Sequence, residues 1–314
     1  MVLPLCPQCP LWWTPLITAP LVLKIGGELL DAPGWLEGVV AAIAAMAASG
    51  VPLVVVHGGG REIDAALRTA GIEKRQVEGL RITDERTLDV VVSVLAGTVN
   101  TRFVAALAAA DVPAVGLTGV DGGCGLSEAA PPHRTVDGRS VDLGRVGVPS
   151  EQADMRLLTA LLRDRFLPVV ASIGVGGDGR LFNVNADAFA GHLAARLGAR
   201  RLVIAGTTPG VLGEDGATVA VIDGGAIGRL VAGGTATAGM IAKLHSCERA
   251  LAGGVEDVVI VDGRDRVALE AAGAGAVPST ATRLTGAGLT ASARLRRSAE
   301  AARRRKTCAT TAAE

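Results

Sequence analysis

Four lysines stand in this chain, Lys24, Lys74, Lys243 and Lys306, and every other basic side chain apart from four histidines is arginine. Where arginine is the habit, a retained lysine points to a need for a compact ammonium that a planar guanidinium cannot replace. Lys24 ends an apolar run beside Gly26 and Gly27, where solvation is poor. Lys243 stands one turn into a helical stretch that follows the segment 233–239. Lys74 and Lys306 read as solvated surface. Asp187 falls in the first turn of another helical stretch, after Asn183 and Asn185. Capping alone would account for an Asp there, and the helix dipole keeps it ionised. An ionised carboxylate suits holding ammonium groups in place better than it suits a general base poised near neutrality.

Three glycine clusters follow apolar runs: Gly26 and Gly27; Gly58, Gly59 and Gly60; and Gly174, Gly176, Gly177 and Gly179. Backbone N–H groups without side chains in the way approach an anion closely, and a following helix N-terminus adds partial positive charge. Each cluster alone is equally an ordinary tight turn. In an open α/β sheet, however, the carboxyl ends of the strands face one crevice, so the three together are expected to converge there. Arg81, within Gly79 to Asp84, is placed to clamp a carboxylate bidentately, though a surface arginine is the default.

Several other chemistries lack their motif, and a dinucleotide fold is the weaker rival. No stretch reads as a Walker P-loop. Gly174, Gly176 and Gly179 match a dinucleotide fingerprint formally, but the next helix begins only near Asn185 or Asp187, and Ala199 and Arg200 stand where a ribose-binding acid is needed. His57, His133, His192 and His245 share no metal spacing, so no metal ligands are assigned. No serine or cysteine sits in a nucleophile elbow. Cys6 and Cys9 form a lone CxxC without partners, and five cysteines in 314 residues are no disulfide framework. A reducing, cytoplasmic setting is expected. Lys+Arg and Asp+Glu both number 31, and aromatics are 2%, which argues against a nucleic-acid or membrane partner. The apolar run from Leu11 to Leu23 is broken by Pro15 and Pro20 and is too short to span a bilayer.

The elements that must position these residues follow an alternation of short apolar runs and amphipathic stretches, the pattern of βα units on a mainly parallel sheet. Strands are expected at Leu21 to Ile25, Leu53 to Val56, Ala114 to Leu117, Val169 to Ile173, Leu202 to Ala205 and Val258 to Val261. Helical spacing runs through Leu36 to Met46, Ile63 to Ala70, Leu88 to Leu95 and Asp187 to Leu197. Asp121 to Gly147 breaks the rhythm and reads as a flap or hairpin over the sheet. Beyond Thr285 the chain is Ala, Arg and Thr with a basic run at Arg303 to Lys306, which reads as a tail.

As an ordered set the motifs resemble the amino acid kinase family. Those that carry the resemblance are Lys-Ile-Gly-Gly at 24–27, His-Gly-Gly-Gly at 57–60, Gly-Leu-Arg-Ile-Thr-Asp at 79–84, Leu-Ala-Gly-Thr-Val-Asn at 95–100, Asn-Val-Asn-Ala-Asp at 183–187 and Gly-Met-Ile-Ala-Lys at 239–243. They cover Leu21 to Leu284. The resemblance implies a three-layer αβα sandwich with an open, mainly parallel sheet. It implies an extension at 1–20, disordered or from a misassigned start, an N-terminal lobe at 21–180 for the amino-acid substrate and dimerisation, a nucleotide-binding C-terminal lobe at 181–284, and a disordered tail at 285–314. The members most similar phosphorylate the side-chain carboxylate of N-acetyl-L-glutamate with ATP, in the second step of arginine biosynthesis. By that resemblance Lys24, Lys243 and Asp187 are catalytic, Gly59, Gly60, Arg81 and Asn183 bind substrate, and Gly26, Gly27 and Gly58 bind phosphate. Mg2+ would be held mainly by the nucleotide phosphates, and the partners would be the two small-molecule substrates and a second copy of the chain in a homodimer. The alternatives are an aminoadipate-type kinase, disfavoured by the direct step from Arg81 to Ile82 and Thr83, and a non-catalytic amino-acid sensor, which would be expected to have lost Lys24, Lys243 or Asp187. Thr207 and Thr208 stand where the family often carries an Asp in the nucleotide loop. Arginine-sensitive relatives carry an N-terminal helix, which the prolines at 4, 7, 10, 15 and 20 interrupt, so insensitivity to arginine is expected.

Overall fold

The computed structural model describes residues 18–287 apart from 136, 214, 225 and 227–237. The CxxC, the N-terminal prolines before Pro20, the basic run and most of the segment before Lys243 lie outside them. Eight strands make the central sheet: β1 (Leu21–Ile25), β2 (Leu53–His57), β3 (Ala114–Thr118), β4 (Leu167–Ala171), β5 (Arg201–Gly206), β6 (Val221–Asp223), β7 (Asp257–Asp262) and β8 (Thr282–Thr285). Their spatial order is β6-β8-β7-β5-β1-β2-β4-β3. All neighbours are parallel except β7 and β8.

The helices are α1 (Gly27–Asp31), α2 (Pro33–Ala48), α3 (Gly60–Thr69), α4 (Glu85–Val92), α5 (Asn100–Ala108), α6 (Arg156–Arg163), α7 (Ala186–Leu197), α8 (Ala238–Ala252) and α9 (Arg266–Gly273). They cover both faces of the sheet, which is why β1, β2 and β5 read as near-continuous apolar runs rather than alternating ones. On one face Val22, Val56, Ile204 and Ile260 pack with Leu158 of α6, Phe189 and Leu193 of α7 and Leu244 of α8. On the other, Leu23, Val55, Val203 and Val259 meet Ile43 of α2, Phe103 of α5 and Leu269 of α9. This is the expected αβα sandwich. Because side chains alternate along a strand, Lys24 shares the face of Val22 and points toward α7 and α8.

Some expectations need correction. Ile173 does not extend β4: the chain breaks at Ser172, and Ile173–Val175 joins a second sheet with Leu181–Val184, Val146–Pro149 and Ser127–Ala129. That sheet and the hairpin His133–Arg134/Ser140–Val141 form the flap anticipated between 121 and 147. Gly174 to Gly179 therefore make its hairpin turn, closed by Gly176 N–H to the Arg180 carbonyl at 2.8 Å with Gly179 at φ +82°. This cluster is a turn and does not line the crevice with the other two. The helix expected at 88–95 is part of a continuous helical run, Glu85–Ala108, with a π-helical segment Ser93–Val99 in its middle.

One buried ion pair ties β5 and β7 together. Arg201 on β5 forks onto Asp257 on β7 with both contacts at 2.7 Å, and its remaining nitrogen donates to the carbonyls of Ala272, in the last turn of α9, and of Ala276 beyond it. Arg283 on β8 adds a third contact to Asp257 at 2.9 Å. Removing one partner of such a pair strands the other in low dielectric, so Asp257→Ala should lower the unfolding free energy by about 3–5 kcal/mol in urea titrations.

Candidate active site

Two strand ends and two helix starts meet at one point. Lys24 is the penultimate residue of β1, and the chain turns at Gly26 and Gly27 into α1. α7 begins where it does because the Asn185 side chain accepts from the Asp187 and Ala188 N–H groups at 3.0 Å each, and it stops at Gly198 in the left-handed region. Capping therefore falls to Asn185, which leaves the Asp187 carboxylate for another task. Its Oδ1 lies 2.8 Å from Lys24 Nζ, and its Oδ2 3.3 Å from Lys243 Nζ on α8. All three side chains are largely buried.

The electrostatics follow from that burial. Burial disfavours the Asp187 carboxylate, yet the charges and hydrogen bonds of Lys24 and Lys243 outweigh it and hold its pKa at about 2. Burial also works against the Lys24 ammonium, but Asp187 raises its pKa above the ordinary value. Lys243 goes the other way, lowered by burial and by repulsion from Lys24, with Asp187 compensating only in part. One turn along α8, Cys247 is fully buried, and that burial pushes its thiol up to about 12, so it is inert packing. Two ammonium groups share one carboxylate, and the local surplus of positive charge is suited to an anion that arrives from solvent.

The first two glycine turns lie back to back. A Cβ at Gly27 would come within 2.6 Å of Gly59 Cα and 3.0 Å of Gly60 N, so only glycine permits the approach. Gly58 faces Ala186 at the start of α7. A cavity of about 180 Å³ opens beside them, lined by Gly58, Gly59, Gly60, Arg81, Asn183 and Ala186 among others. α3 starts at Gly60 and directs its first-turn N–H groups to this side. Gly26 departs from expectation, because its N–H is committed to the Ala205 carbonyl at 2.9 Å and is withheld from a phosphate.

Arg81 is delivered by the hairpin Gln76–Val77/Leu80–Arg81, whose turn needs Gly79 at φ +81°. Its Nη2 pairs with Asp64 of α3 at 2.5 Å, while its Nη1 is buried and has no partner. An orphaned guanidinium nitrogen at a cavity wall is costly unless a ligand satisfies it. Asp64 also pairs with Lys74, whose side chain is largely in solvent, as expected for it. Asn183 donates to the hydroxyl of Thr83, itself fully buried, at 3.1 Å. Sequence reasoning brought out neither Asp64 nor Thr83. Both act through a partner distant in the chain, and no local pattern marks that.

The profile of the amino acid kinase family matches residues 19–262. This chain belongs to the amino acid kinase family. It is similar to the acetylglutamate kinase of Novosphingobium aromaticivorans, 39% identical over 252 residues that cover 77% of this chain and 83% of that one. It is also similar to the acetylglutamate kinase of Methylobacterium nodulans, 41% identical over 250 residues, with 78% and 81% covered. Among solved structures, N-acetylglutamate synthase from Neisseria gonorrhoeae complexed with coenzyme A and N-acetyl-glutamate matches with a TM-score of 0.73 and 27% identity. That match covers 86% of this chain and 60% of the synthase.

Among the described residues no group of three or more His, Cys, Asp or Glu side chains could hold a metal ion. Asp187 is committed to its two ammonium groups.

The Asp187 pKa lies below its ordinary 3.8. Its ion pairs should therefore stabilise the fold fully above about pH 4 and be lost as pH falls toward 2, a change of roughly 2 kcal/mol. Urea unfolding of wild type and Asp187→Asn from pH 5 to 2.5 should show the wild type losing that much more. In the same variant the Lys243 pKa should fall further, because the carboxylate that does most to raise it is gone; NMR of the lysine side chains reads this directly.

Proposed function

We propose that this chain transfers the γ-phosphoryl group of ATP to the side-chain carboxylate of N-acetyl-L-glutamate, giving N-acetyl-L-glutamyl 5-phosphate, the second step of arginine biosynthesis. The observation that carries this reading is the pair of buried ammonium groups on Asp187, set beside a cavity whose wall holds the orphaned Arg81 nitrogen. The names of the relatives, at about 40% identity over most of the chain, select the substrate.

A carboxylate oxygen of the substrate attacks the γ-phosphorus, and the bond to the β,γ-bridging oxygen breaks to release ADP. The acceptor is already ionised, so no proton moves and no base is required. Catalysis then reduces to position and charge. Lys24 and Lys243 neutralise the transferring group, and Asp187 keeps both ammonium groups aimed. Gly27, Gly58, Gly59 and Gly60 offer backbone at the two abutting turns. Arg81 and Asn183 hold the amino-acid carboxylate. Arg81 would do so through Nη1, since Asp64 occupies its other arm. Mg2+ bound to the nucleotide would share the phosphate charge. In this reading 21–180 forms the amino-acid lobe and 181–284 the nucleotide lobe, and the enzyme works as a cytoplasmic homodimer.

A coupled ADP-release assay across N-acetylglutamate, glutamate, aspartate and aminoadipate derivatives tests the assignment. N-acetylglutamate should give the highest kcat/KM, and preference for the aminoadipate derivative would overturn it. Arg81→Lys should raise KM for the amino acid far more than KM for ATP, because an ammonium cannot serve Asp64 and the substrate with one planar fork. Lys243→Arg should lower kcat about 100-fold, since a guanidinium displaces the phosphoryl group by about an ångström. Combining it with Asp187→Asn should cost much less than the product of the single losses, as for groups that act as a unit.

A further inference from the structure

The segment Leu-Ala-Gly-Thr-Val-Asn at 95–100 belongs to the ordered motifs, yet none of its residues enters the chemistry above. In the fold it lies directly behind the second glycine turn. A Cβ at Gly59 would come within 2.8 Å of Leu95 Cδ2 and 3.3 Å of Val99 Cγ2, so the π-helical segment fills the space behind that turn. Asn100, the first residue of α5, is almost fully buried, and its Nδ2 donates to the Val169 carbonyl of β4 at 3.0 Å. The same Nδ2 lies 3.0 Å from Nε2 of His57, which is fully buried. The place a Cβ of Gly116 would take on β3 is occupied by Asn100 Oδ1, so the amide is seated by three strands.

This geometry determines the histidine tautomer. Asn100 Nδ2 is a donor, so His57 Nε2 must present its lone pair, and the ring proton sits on Nδ1. Nδ1 in turn lies 3.0 Å from the carbonyl of Gly58 and donates to it. Burial pushes the His57 pKa down to about 4, so the ring stays neutral in ordinary buffers.

The Gly58 carbonyl is one half of a peptide whose other half is the Gly59 N–H. In a trans peptide these two groups point in opposite directions. With glycine on both sides, no Cβ opposes rotation about Gly58 ψ and Gly59 φ, so that peptide flips more readily than one between other residues. A flip would aim a carbonyl oxygen where the site needs an N–H. We propose that His57 and Asn100 are positioning residues that pin the Gly58 carbonyl and thereby aim the Gly59 N–H into the substrate cavity. This rests on the function proposed above, which makes that turn an anion cradle.

The test has one arm that needs no substrate. Long-range 1H–15N NMR of the wild-type protein at neutral pH should show His57 neutral and protonated on Nδ1. A ring protonated on Nε2, or charged, overturns the proposal whether or not the enzyme acts on N-acetylglutamate; absence of that activity overturns the functional reading alone. The second arm is kinetic. Asn100→Ala should leave the His57 ring without its Nε2 anchor and raise KM for N-acetyl-L-glutamate about 10- to 100-fold, with KM for ATP within about two-fold. His57→Leu should do the same, and His57→Gln, which keeps a donor and an acceptor, should recover most of the loss. Gly116→Ala, far from the cavity, should displace Asn100 and reproduce the effect in part. Circular dichroism and melting establish that each variant compared is folded. A folded Asn100→Ala or His57→Leu with wild-type constants for both substrates refutes the role, and an equal rise in both KM values reduces it to general stability.

Discussion

One carboxylate between two buried ammonium groups is the constraint on which the rest of the structure turns. Asp187 favours the charged form of both lysines against burial, and the two ammonium groups keep Asp187 ionised in turn. The arrangement is deliberately incomplete, since two positive charges repel each other across a single negative one and Lys243 carries the cost. An incoming anion relieves that imbalance. The site therefore holds its charge in the form that a phosphoryl group in transfer would complete, without reorganisation at the moment of reaction.

Bringing those three residues together requires particular elements. Lys24 has to leave β1 on the α7 face, one residue before the strand ends, and α7 has to begin just below it. Asn185 performs the capping that a first-turn Asp would otherwise be used for. The glycines act mainly by what they lack. Gly27 and Gly59 let two turns touch through backbone, which brings the ends of β1 and β2 close enough to serve one ligand. The Arg201–Asp257 fork locks β5, β7, β8 and the end of α9 to one another.

Polar groups behind the cavity show the same economy. Asp64 spends itself on one arm of Arg81, Thr83 on Asn183, and Asn100 on His57. Each leaves its partner with one defined direction. Together they convert a flexible Gly-rich turn, a two-stranded hairpin and a flap strand into walls of a cavity with fixed donors.

Much was legible in the residues alone. Near-continuous apolar runs at 21–23, 53–56 and 202–205 specify central parallel strands, because only a strand covered on both faces tolerates them. Four lysines in an arginine-using chain single out Lys24 and Lys243, and an ionised Asp at a helix start falls to the same reasoning. Three things were decided only in three dimensions. The 174–179 cluster has the composition of a phosphate loop but closes a hairpin, because its downstream partner is a strand and a glycine run carries no sign of what it will pair with. Gly26 looks equivalent to Gly27 in sequence, yet its N–H is spent on β5, a strand almost two hundred residues away. The partners Asp64, Thr83 and Asn100 obey no local period, since a buried hydrogen bond is specified by the distance between elements and not by spacing along the chain. Local physical chemistry determined the elements and the charged residues that do chemistry; tertiary packing decided which backbone groups remain free to meet a ligand.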